Sequence, residues 1–219
     1  MSDGIRWIGE HNNQGPTGGR RGMLGGISLT VARDIDVGDL LICLGAEPFQ
    51  FDEGHPYKDL SSVALPDGMK PWEVHYAMYG TCGEWVYVLE DWGRATWYLH
   101  HGGGPPMSAL AGVETICVSV NADIPPSRLL HATPEGPIAR AEFGEDTGCG
   151  SELDAALQEA GAVFPSTSGM AWEEAGLLRE KYLSKLPPAV FSAVGRYCGM
   201  SIDQADVEAG ELPGAILFR

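Results

Sequence analysis

The hydrophobic positions along the chain first follow a strand period and then a helix period. Residues 27–31 alternate between branched apolar side chains and polar ones, and this period of two predicts a half-buried β-strand. The spacing then changes to i, i+3, i+4 and i+7 over residues 37–44, which predicts a short amphipathic helix. Asp36 before this segment is a suitable N-cap, and Gly45 after it is a stop signal.

Further strand-like segments follow up to residue 145. Residues 72–79 and 84–90 flank the turn 80–83 and predict a β-hairpin with a four-residue connection. The strands predicted after this hairpin lie at 95–100, 114–120, 127–133 and 138–143. Strands joined by such short turns are typical of an antiparallel sheet.

Beyond residue 150 the spacing becomes helical. A helix is predicted after Ser151, because Ser151 and Asp154 have the spacing of a capping box and Gly161 is a stop signal. Further helices are predicted at about 170–186, after Pro187 and Pro188 up to Gly199, and after Ser201 with Gln204. The closing residues 215–219 are either an edge strand or a tail.

Together these elements predict an α+β fold, in which roughly six to eight strands form a mostly antiparallel sheet with the C-terminal helices packed on one face. The glycine- and arginine-rich residues 1–26 are predicted to form an arm or long loop. Residues 27–219 are predicted to form a single α+β domain, which is β-rich over 27–145 and helix-rich over 150–210.

The charge balance excludes one class of partner. The 219 residues include 14 Lys and Arg against 30 Asp and Glu, a formal net charge of −16. Direct binding to a nucleic-acid backbone is not expected of such a chain, because cations must face the phosphates. The five cysteines are dispersed and form no CxxC pair, which indicates reduced thiols. Because the N-terminus lacks an apolar signal core and no long apolar run follows, we expect a cytoplasmic protein that does not enter the membrane.

Several segments resemble known functional motifs but lack a residue or a partner motif that the function requires. The segment that begins at Asp34 resembles the start of a calcium-binding EF-hand loop, but Gly45 stands where that loop needs a bidentate Glu. His101 and the three glycines after it resemble an esterase oxyanion loop, but the chain has no G-x-S-x-G nucleophile motif. Phosphate-binding loop, dinucleotide-binding and zinc-protease signatures are also missing from the sequence. The sequence therefore predicts no metal site and no cofactor.

Residues 72–101 combine aromatic and titratable side chains at high density. Two explanations stay open, because such residues either pack across strand pairs in the core or line a ligand cleft or a partner surface. The candidate binding residues are Trp72, Tyr76, Trp92 and Trp97. The candidate acid–base residues, if the protein is an enzyme, are His75, Glu90 and His100, since imidazoles and carboxylates can exchange protons near neutral pH.

Acidic residues are concentrated where the predicted sheet gives way to helices. The candidate binding residues there are Glu142, Glu145 and Asp146. The first functional hypothesis is a non-catalytic binding protein, of the immunity, antitoxin-like or adaptor kind, whose acidic surface engages a basic protein partner. The alternative is a small-molecule-binding protein or biosynthetic enzyme, which uses the aromatic residues as a pocket and the His and Glu side chains for acid–base chemistry.

Several segments resemble a family of uncharacterised actinobacterial proteins that is defined only as a domain of unknown function. They are ISLTVARDIDVGDLLICLGAEP, VYVLEDWG, CVSVNADIPPSRLLHATPEGPIARAEF and the C-terminal helix before GMSI. Together they span most of residues 27–202, whereas the N-terminal arm and residues 49–70 lie outside the resemblance. The resemblance implies a bacterial cytosolic α+β protein, and it implies no active site.

Overall fold

The computed structural model describes residues 4–12, 21–47, 54–63, 65, 74–91, 110–119, 127–136, 138–165 and 169–218. The strands are β1 (Ile27–Arg33), β2 (Val74–Cys82), β3 (Trp85–Asp91), β4 (Glu114–Ser119), β5 (Arg128–Ala132), β6 (Ala139–Glu142) and β7 (Gly214–Phe218). The helices are α1 (Arg6–Glu10), α2 (Val37–Cys43), α3 (Glu152–Glu159), α4 (Trp172–Leu183), α5 (Leu186–Cys198) and α6 (Gln204–Ala209), with a 3₁₀ helix at Tyr57–Ser62.

Within the described residues, the strands form one seven-stranded sheet in the order β6-β5-β4-β1-β3-β2-β7, and every neighbouring pair is antiparallel. Strand β1 therefore lies in the middle of the sheet, and β7 at one edge, so the closing residues form the edge strand. The predicted α+β class with a mostly antiparallel sheet is confirmed. The predicted strand at 95–100 lies outside the described residues.

Strand alternation buries residues on both faces of the sheet, and the two larger of the three buried clusters among the described residues lie one on each face. On the first face, Leu29 and Leu89 belong to one buried cluster with residues of α1, α3 and α5, among them Phe191. On the second face, Val88 belongs to a cluster with Leu41 of α2. Residues of the C-terminal helices α3 and α5 thus pack on the first face. Burying each such side chain stabilises the fold by roughly 1.5–3 kcal/mol.

The N-terminal segment differs from the predicted arm. Residues Arg6–Glu10 form the short helix α1, and Trp7 is buried in the first-face cluster. The indole N–H of Trp7 donates a hydrogen bond to the carbonyl of Ile202 at 3.0 Å. A Cβ at Gly9 would lie 2.3 Å from the backbone of Pro187, so only glycine lets α1 approach α5 this closely. A single helical turn is too short to show a hydrophobic period, which is why the sequence pattern did not predict it.

Two predicted boundaries are wrong by a few residues. The β2–β3 connection is a two-residue turn at 83 and 84, because Gly83 adopts a φ of 61° and lets Cys82 pair directly with Trp85. Helix α6 is capped by Asp203 rather than by Ser201. The Asp203 carboxylate accepts hydrogen bonds from the backbone N–H groups of Ala205 and Asp206.

The other local signals are confirmed. The Asp36 side chain caps α2, and Ser151 with Asp154 forms the predicted capping box of α3. Helix α5 starts one residue before the proline pair and ends at Gly199, which has a φ of 60° and so adopts the left-handed conformation that terminates helices. All five cysteines are free.

Candidate functional site

Two of the predicted acid–base residues lie on the same face of the sheet. Ala77 pairs with Glu90 across β2 and β3, and His75 is two positions before Ala77, so all three are on the second face. On its other side Glu90 pairs with Ser28 of β1. Glu90 is 1% exposed and Ser28 is fully buried, whereas His75 is half-buried. The sheet therefore buries a carboxylate next to a hydroxyl, on the face that also carries an imidazole.

Of the other predicted residues of the aromatic region, the structure describes only Tyr76, and Tyr76 does not join this surface. Strand alternation puts Tyr76 on the first face, where it packs against the cluster of Val74 and Ile216. Tyr76 and His75 therefore do not share one cleft. The remaining candidates, Trp72, Trp92, Trp97 and His100, lie outside the described residues.

The three predicted acidic binding residues lie at and just after the end of β6, but they differ in what they can bind. Glu142 and Glu145 are exposed. Asp146 is engaged within its own turn, because its carboxylate accepts from the N–H of Gly148 at 3.1 Å and from the amide of Gln158 at 2.8 Å. Asp146 therefore shapes the turn before α3, and Glu142 and Glu145 supply the exposed negative charge.

A buried ionic network, which the sequence pattern did not predict, lies at one end of β1, β4 and β5. Its centre is Glu114, which is 3% exposed. Glu114 Oε1 accepts a hydrogen bond from the Tyr197 hydroxyl at 2.6 Å and lies 3.2 Å from Nε2 of His131. Glu114 Oε2 forms an ion pair with Nη2 of Arg33 at 2.5 Å. A buried carboxylate needs such partners, because burying an unpaired charge is strongly unfavourable.

Aromatic rings enclose this network. The guanidinium of Arg33 lies over the ring of Trp85, 5.4 Å from its centroid. The Tyr197 ring packs edge-on against the rings of Trp85 and His131, with ring centroids 6.1 Å and 5.9 Å apart, respectively. The Arg33 side chain is 40% exposed and that of Glu114 only 4%, so Arg33 is the member of the pair that faces solvent.

The pKa shifts around the network follow from burial and from the charge of Glu114. Burial raises the pKa of the Tyr197 hydroxyl, Glu114 raises it further, and Arg33 opposes both. Burial also raises the pKa of the Cys198 thiol, and Glu114 acts in the same direction. Both groups therefore stay protonated at neutral pH, so Tyr197 is a hydrogen-bond donor and Cys198 is not a thiolate nucleophile. The network joins α5 to the sheet.

Strand alternation contains the signal that would have revealed the network. Glu114 is in phase with Ile116 and Val118, which point into the first-face core. Arg33 is in phase with Leu29 and Val31 of β1, and His131 is in phase with Leu129 of β5. These apolar residues belong to the same first-face cluster. Charged residues at inward-facing positions of adjacent strands predict a buried ion pair.

Among the large apolar side chains of the described residues, those with the highest exposed fractions are on α4. Trp172 is 88% exposed, Leu177 68% and Leu183 59%. None of the residues described in α4 is buried, whereas most of the residues in α5 are. Tyr182, which is half-buried, rests edge-on against Phe164 with the ring centroids 6.4 Å apart.

We call one exposed side of this helix the α4 face, which consists of Trp172, Glu173, Gly176, Leu177, Glu180 and Leu183. Glu174 and Lys181 are also exposed, but they lie beyond Leu177 around the helix, outside this face. At about 100° per residue, one row of this face carries Trp172, Gly176 and Leu183. The neighbouring row carries Glu173, Leu177 and Glu180. The α4 face therefore places an apolar row beside a row in which two glutamates flank Leu177.

The described part of the chain thus offers a buried polar face around Glu90, the network around Glu114 and the solvent-exposed α4 face. Within these ranges, no three His, Cys, Asp or Glu side chains are grouped in a way that would hold a metal ion. No helix described here has the length and apolar character that crossing a membrane requires. Comparison of the chain with protein-family models, with curated proteins and with solved structures finds no significant match.

Proposed function

We propose that this protein is a non-catalytic binding protein that engages a basic partner protein through the α4 face. The observation that carries the proposal is the 88% exposure of Trp172, on the same helix as the exposed Leu177 and Leu183. Leaving a large apolar side chain in water forgoes roughly 1.5–3 kcal/mol relative to burying it. Grouped exposed apolar residues mark interaction sites, and Trp is among the residue types most enriched at the energetic centres of interfaces.

Gly176 supports the same proposal. A glycine inside a helix destabilises it by roughly 1 kcal/mol relative to alanine. A Cβ built at Gly176 would meet no other atom within 4 Å, so packing within this chain does not require glycine there. In the row between Trp172 and Leu183, the missing side chain leaves a notch where the backbone of a partner can approach α4 closely.

The charges around the α4 face favour a basic partner. Glu173 and Glu180 flank Leu177, and the whole chain carries a net charge of −16. The exposed Glu173, Glu174 and Glu180 outnumber the exposed Lys181 among the described side chains of α4. A second copy of this chain would place like charges against each other, which disfavours self-association through this face. A segment that combines Lys or Arg with apolar side chains, such as a basic amphipathic helix, complements both rows. The exposed Glu142 and Glu145 add to the field that attracts such a partner.

The test is site-specific photo-crosslinking in cells that make this protein. A photo-crosslinking amino acid at Leu177 should give one dominant adduct, with a basic protein, and Trp172→Ala should abolish that adduct. Glu135, an exposed position in the β5–β6 turn, provides the matched control site and should not give it. Raising the salt concentration should weaken the adduct, because ions screen exposed charges. Equal adducts from both sites, or an adduct unaffected by Trp172→Ala, would contradict the proposal.

A second candidate function is the binding or conversion of a small molecule at the second face of the sheet. The observation that favours it is the burial of Glu90 opposite Ser28, on the face that carries His75. Fractionated small-molecule extracts from the same cells would be screened for a rise in Tm of the protein. A fraction that stabilises the natural chain and Glu142→Gln, but neither Glu90→Gln nor His75→Ala, would support this function. If every active fraction stabilises all variants equally, this candidate is wrong.

A further inference from the structure

A depression of about 580 Å³ lies where the start of α5 meets α1 and the end of α3. This volume falls within the roughly 300–1,000 Å³ that is typical of small-molecule sites. The lining includes Arg6, Gly161, Tyr182, Ser184, Lys185 and Ala189. The depression is separate from the α4 face, although the last turn of α4 forms one of its walls.

The charges in this depression are opposite to those of the protein as a whole. Its lining contains two cationic residues, Arg6 and Lys185, and no Asp or Glu. The chain has more than twice as many acidic residues as basic ones, 30 against 14. Arg6 donates from Nε to Glu10 at 2.9 Å across one turn of α1, which orients its guanidinium. The Glu10 carboxylate offsets part of the Arg6 charge, and with Lys185 and no acidic residue in the lining the depression still favours anions over cations.

The remaining wall residues suit an organic anion better than a bare ion. Tyr182 and Ser184 carry hydroxyl groups that donate hydrogen bonds to oxyanions. Tyr182 is held by its ring contact with Phe164, and its carbonyl accepts from the N–H of Lys185 at 2.8 Å, so the wall is ordered by contacts within the chain. Ala189 and the neighbouring Pro188 add small apolar surfaces.

Two features of the walls leave room for a ligand. Gly161 ends α3 with a φ of 71°, and a Cβ built there would meet no atom within 4 Å, so its side of the depression is open. Pro187 and Pro188 occupy the first turn of α5 and have no backbone N–H. The anion must therefore be held mainly by side chains, rather than by the start of the helix.

We propose that this depression binds a small organic anion. Its carboxylate or phosphate group would be held by Arg6 and Lys185, and its apolar body would lie against Pro188 and Ala189. This site is independent of the partner-binding proposal, because it uses other residues and a different class of ligand. A bound anion would also contact Tyr182 in the last turn of α4 and thereby connect α4 to α5.

The test uses benzoate and phenyl phosphate as probes, with benzyl alcohol as the neutral analogue. Each is titrated into the full chain at constant ionic strength, and the backbone amides of Gly161 and Ser184 are followed by NMR. We expect saturable shifts of both amides with at least one anion, and none with benzyl alcohol. A response to only one of the two anions identifies the oxyanion group that the site prefers.

Charge-removing variants separate a specific site from general attraction. Lys185→Gln and Arg6→Gln should each weaken binding about tenfold, because each removes a charge-assisted hydrogen bond. Lys181→Gln is the matched control, since Lys181 carries the same charge in the last turn of α4 but does not line the depression. Its binding constant should change less than about twofold. Thermal melts establish that each variant is folded.

Three results would overturn the proposal. They are the absence of saturable shifts with both anions, equal shifts with benzyl alcohol, and a loss of binding in Lys181→Gln as large as that in Lys185→Gln. None of these results bears on crosslinking through Leu177, so this proposal and the partner-binding proposal fail separately.

Discussion

The Tyr197 hydroxyl donates a 2.6 Å hydrogen bond to Glu114, although the two residues are 83 positions apart in the chain. The bond joins the last turn of α5 to the first residue of β4. Because Glu114 is buried, each group that bonds to it offsets part of the cost of removing its charge from water. Helix α5 is therefore attached to the sheet by a polar contact as well as by apolar packing.

Tyr197→Phe should lower the free energy of unfolding by about 1.5–3 kcal/mol, the usual contribution of a hydrogen bond to a charged group. Guanidinium unfolding at neutral pH measures this difference. Tyr182→Phe is the matched control, because Tyr182 lies in the most exposed helix, and it should change stability by less than about 0.5 kcal/mol. Equal stabilities of the two variants would show that the contact with Glu114 contributes nothing.

Stability should decline in alkaline solution, in part through Tyr197. The pKa of Tyr197 is raised in the folded chain above its ordinary value of 10.0. Its contribution is fully present below that ordinary value and is lost as the pH rises toward the folded pKa, because the unfolded chain releases the proton first. Denaturant unfolding at a series of pH values on both sides of 10 measures the decline. The free energy of unfolding of Tyr197→Phe should decline less steeply with pH than that of the natural chain. Equal slopes would contradict this assignment.

Asp154→Asn should destabilise the protein at neutral pH by about 1–2 kcal/mol. The Asp154 carboxylate accepts hydrogen bonds from the N–H of Thr147 at 2.7 Å, the hydroxyl of Thr147 at 2.9 Å and the N–H of Ser151 at 3.1 Å. Burial raises the pKa of this carboxyl, but these hydrogen bonds outweigh burial, and the net pKa is below the ordinary 3.8. Unfolding of both proteins across acidic pH measures the effect.

The sign of this pH dependence follows from the lowered pKa. The contribution of ionised Asp154 is present above its ordinary pKa and is lost as the pH falls through the folded value. The difference in free energy of unfolding between the natural chain and Asp154→Asn should therefore disappear as the solution becomes acidic. Glu152→Gln, which removes an exposed charge from the same helical turn, is the control and should show no such change in the difference. A difference of constant size for Asp154→Asn would refute the assignment.

Gly176→Ala should stabilise the fold and weaken partner binding. Alanine favours the helix over glycine by roughly 0.5–1 kcal/mol, and a Cβ there meets no atom of this chain. The added methyl group fills the notch between Trp172 and Leu183, so the crosslink formed from Leu177 should fall in yield. Thermal melts and crosslinking of the same sample measure both effects. A more stable variant that crosslinks normally would show that the partner does not use the notch.

The thiols should differ sharply in reactivity. Cys149 is exposed, whereas Cys117 and Cys198 are buried. Burial raises the pKa of Cys117 to about 12, and burial also raises that of Cys198, so neither supplies a thiolate near neutral pH. Ellman's reagent should label Cys149 in a rapid kinetic phase. Cys149→Ser should remove that phase. Cys117 and Cys198 should react only when the chain unfolds, and rapid labelling of either in the native protein would contradict their burial.

The candidate sites were predictable to different degrees. The sequence pattern predicts the helix that became α4, but not that Trp172 stays in water, because exposure depends on what packs against a helix. It assigns His75 and Glu90 to neighbouring strands of one hairpin, and the register then places them on one face. The depression beside Lys185 has no sequence signal, because its walls come from separate helices.

The sequence by itself determined those features whose physical cause is local. Strand alternation, the Asp36 cap and the Ser151–Asp154 capping box depend on residues a few positions apart, so a linear pattern contains them. Only the tertiary structure decided that β1 lies between β3 and β4, that Trp7 enters the core, and that Glu114 meets Tyr197. These features depend on contacts between distant residues, whose energies leave no period in the chain.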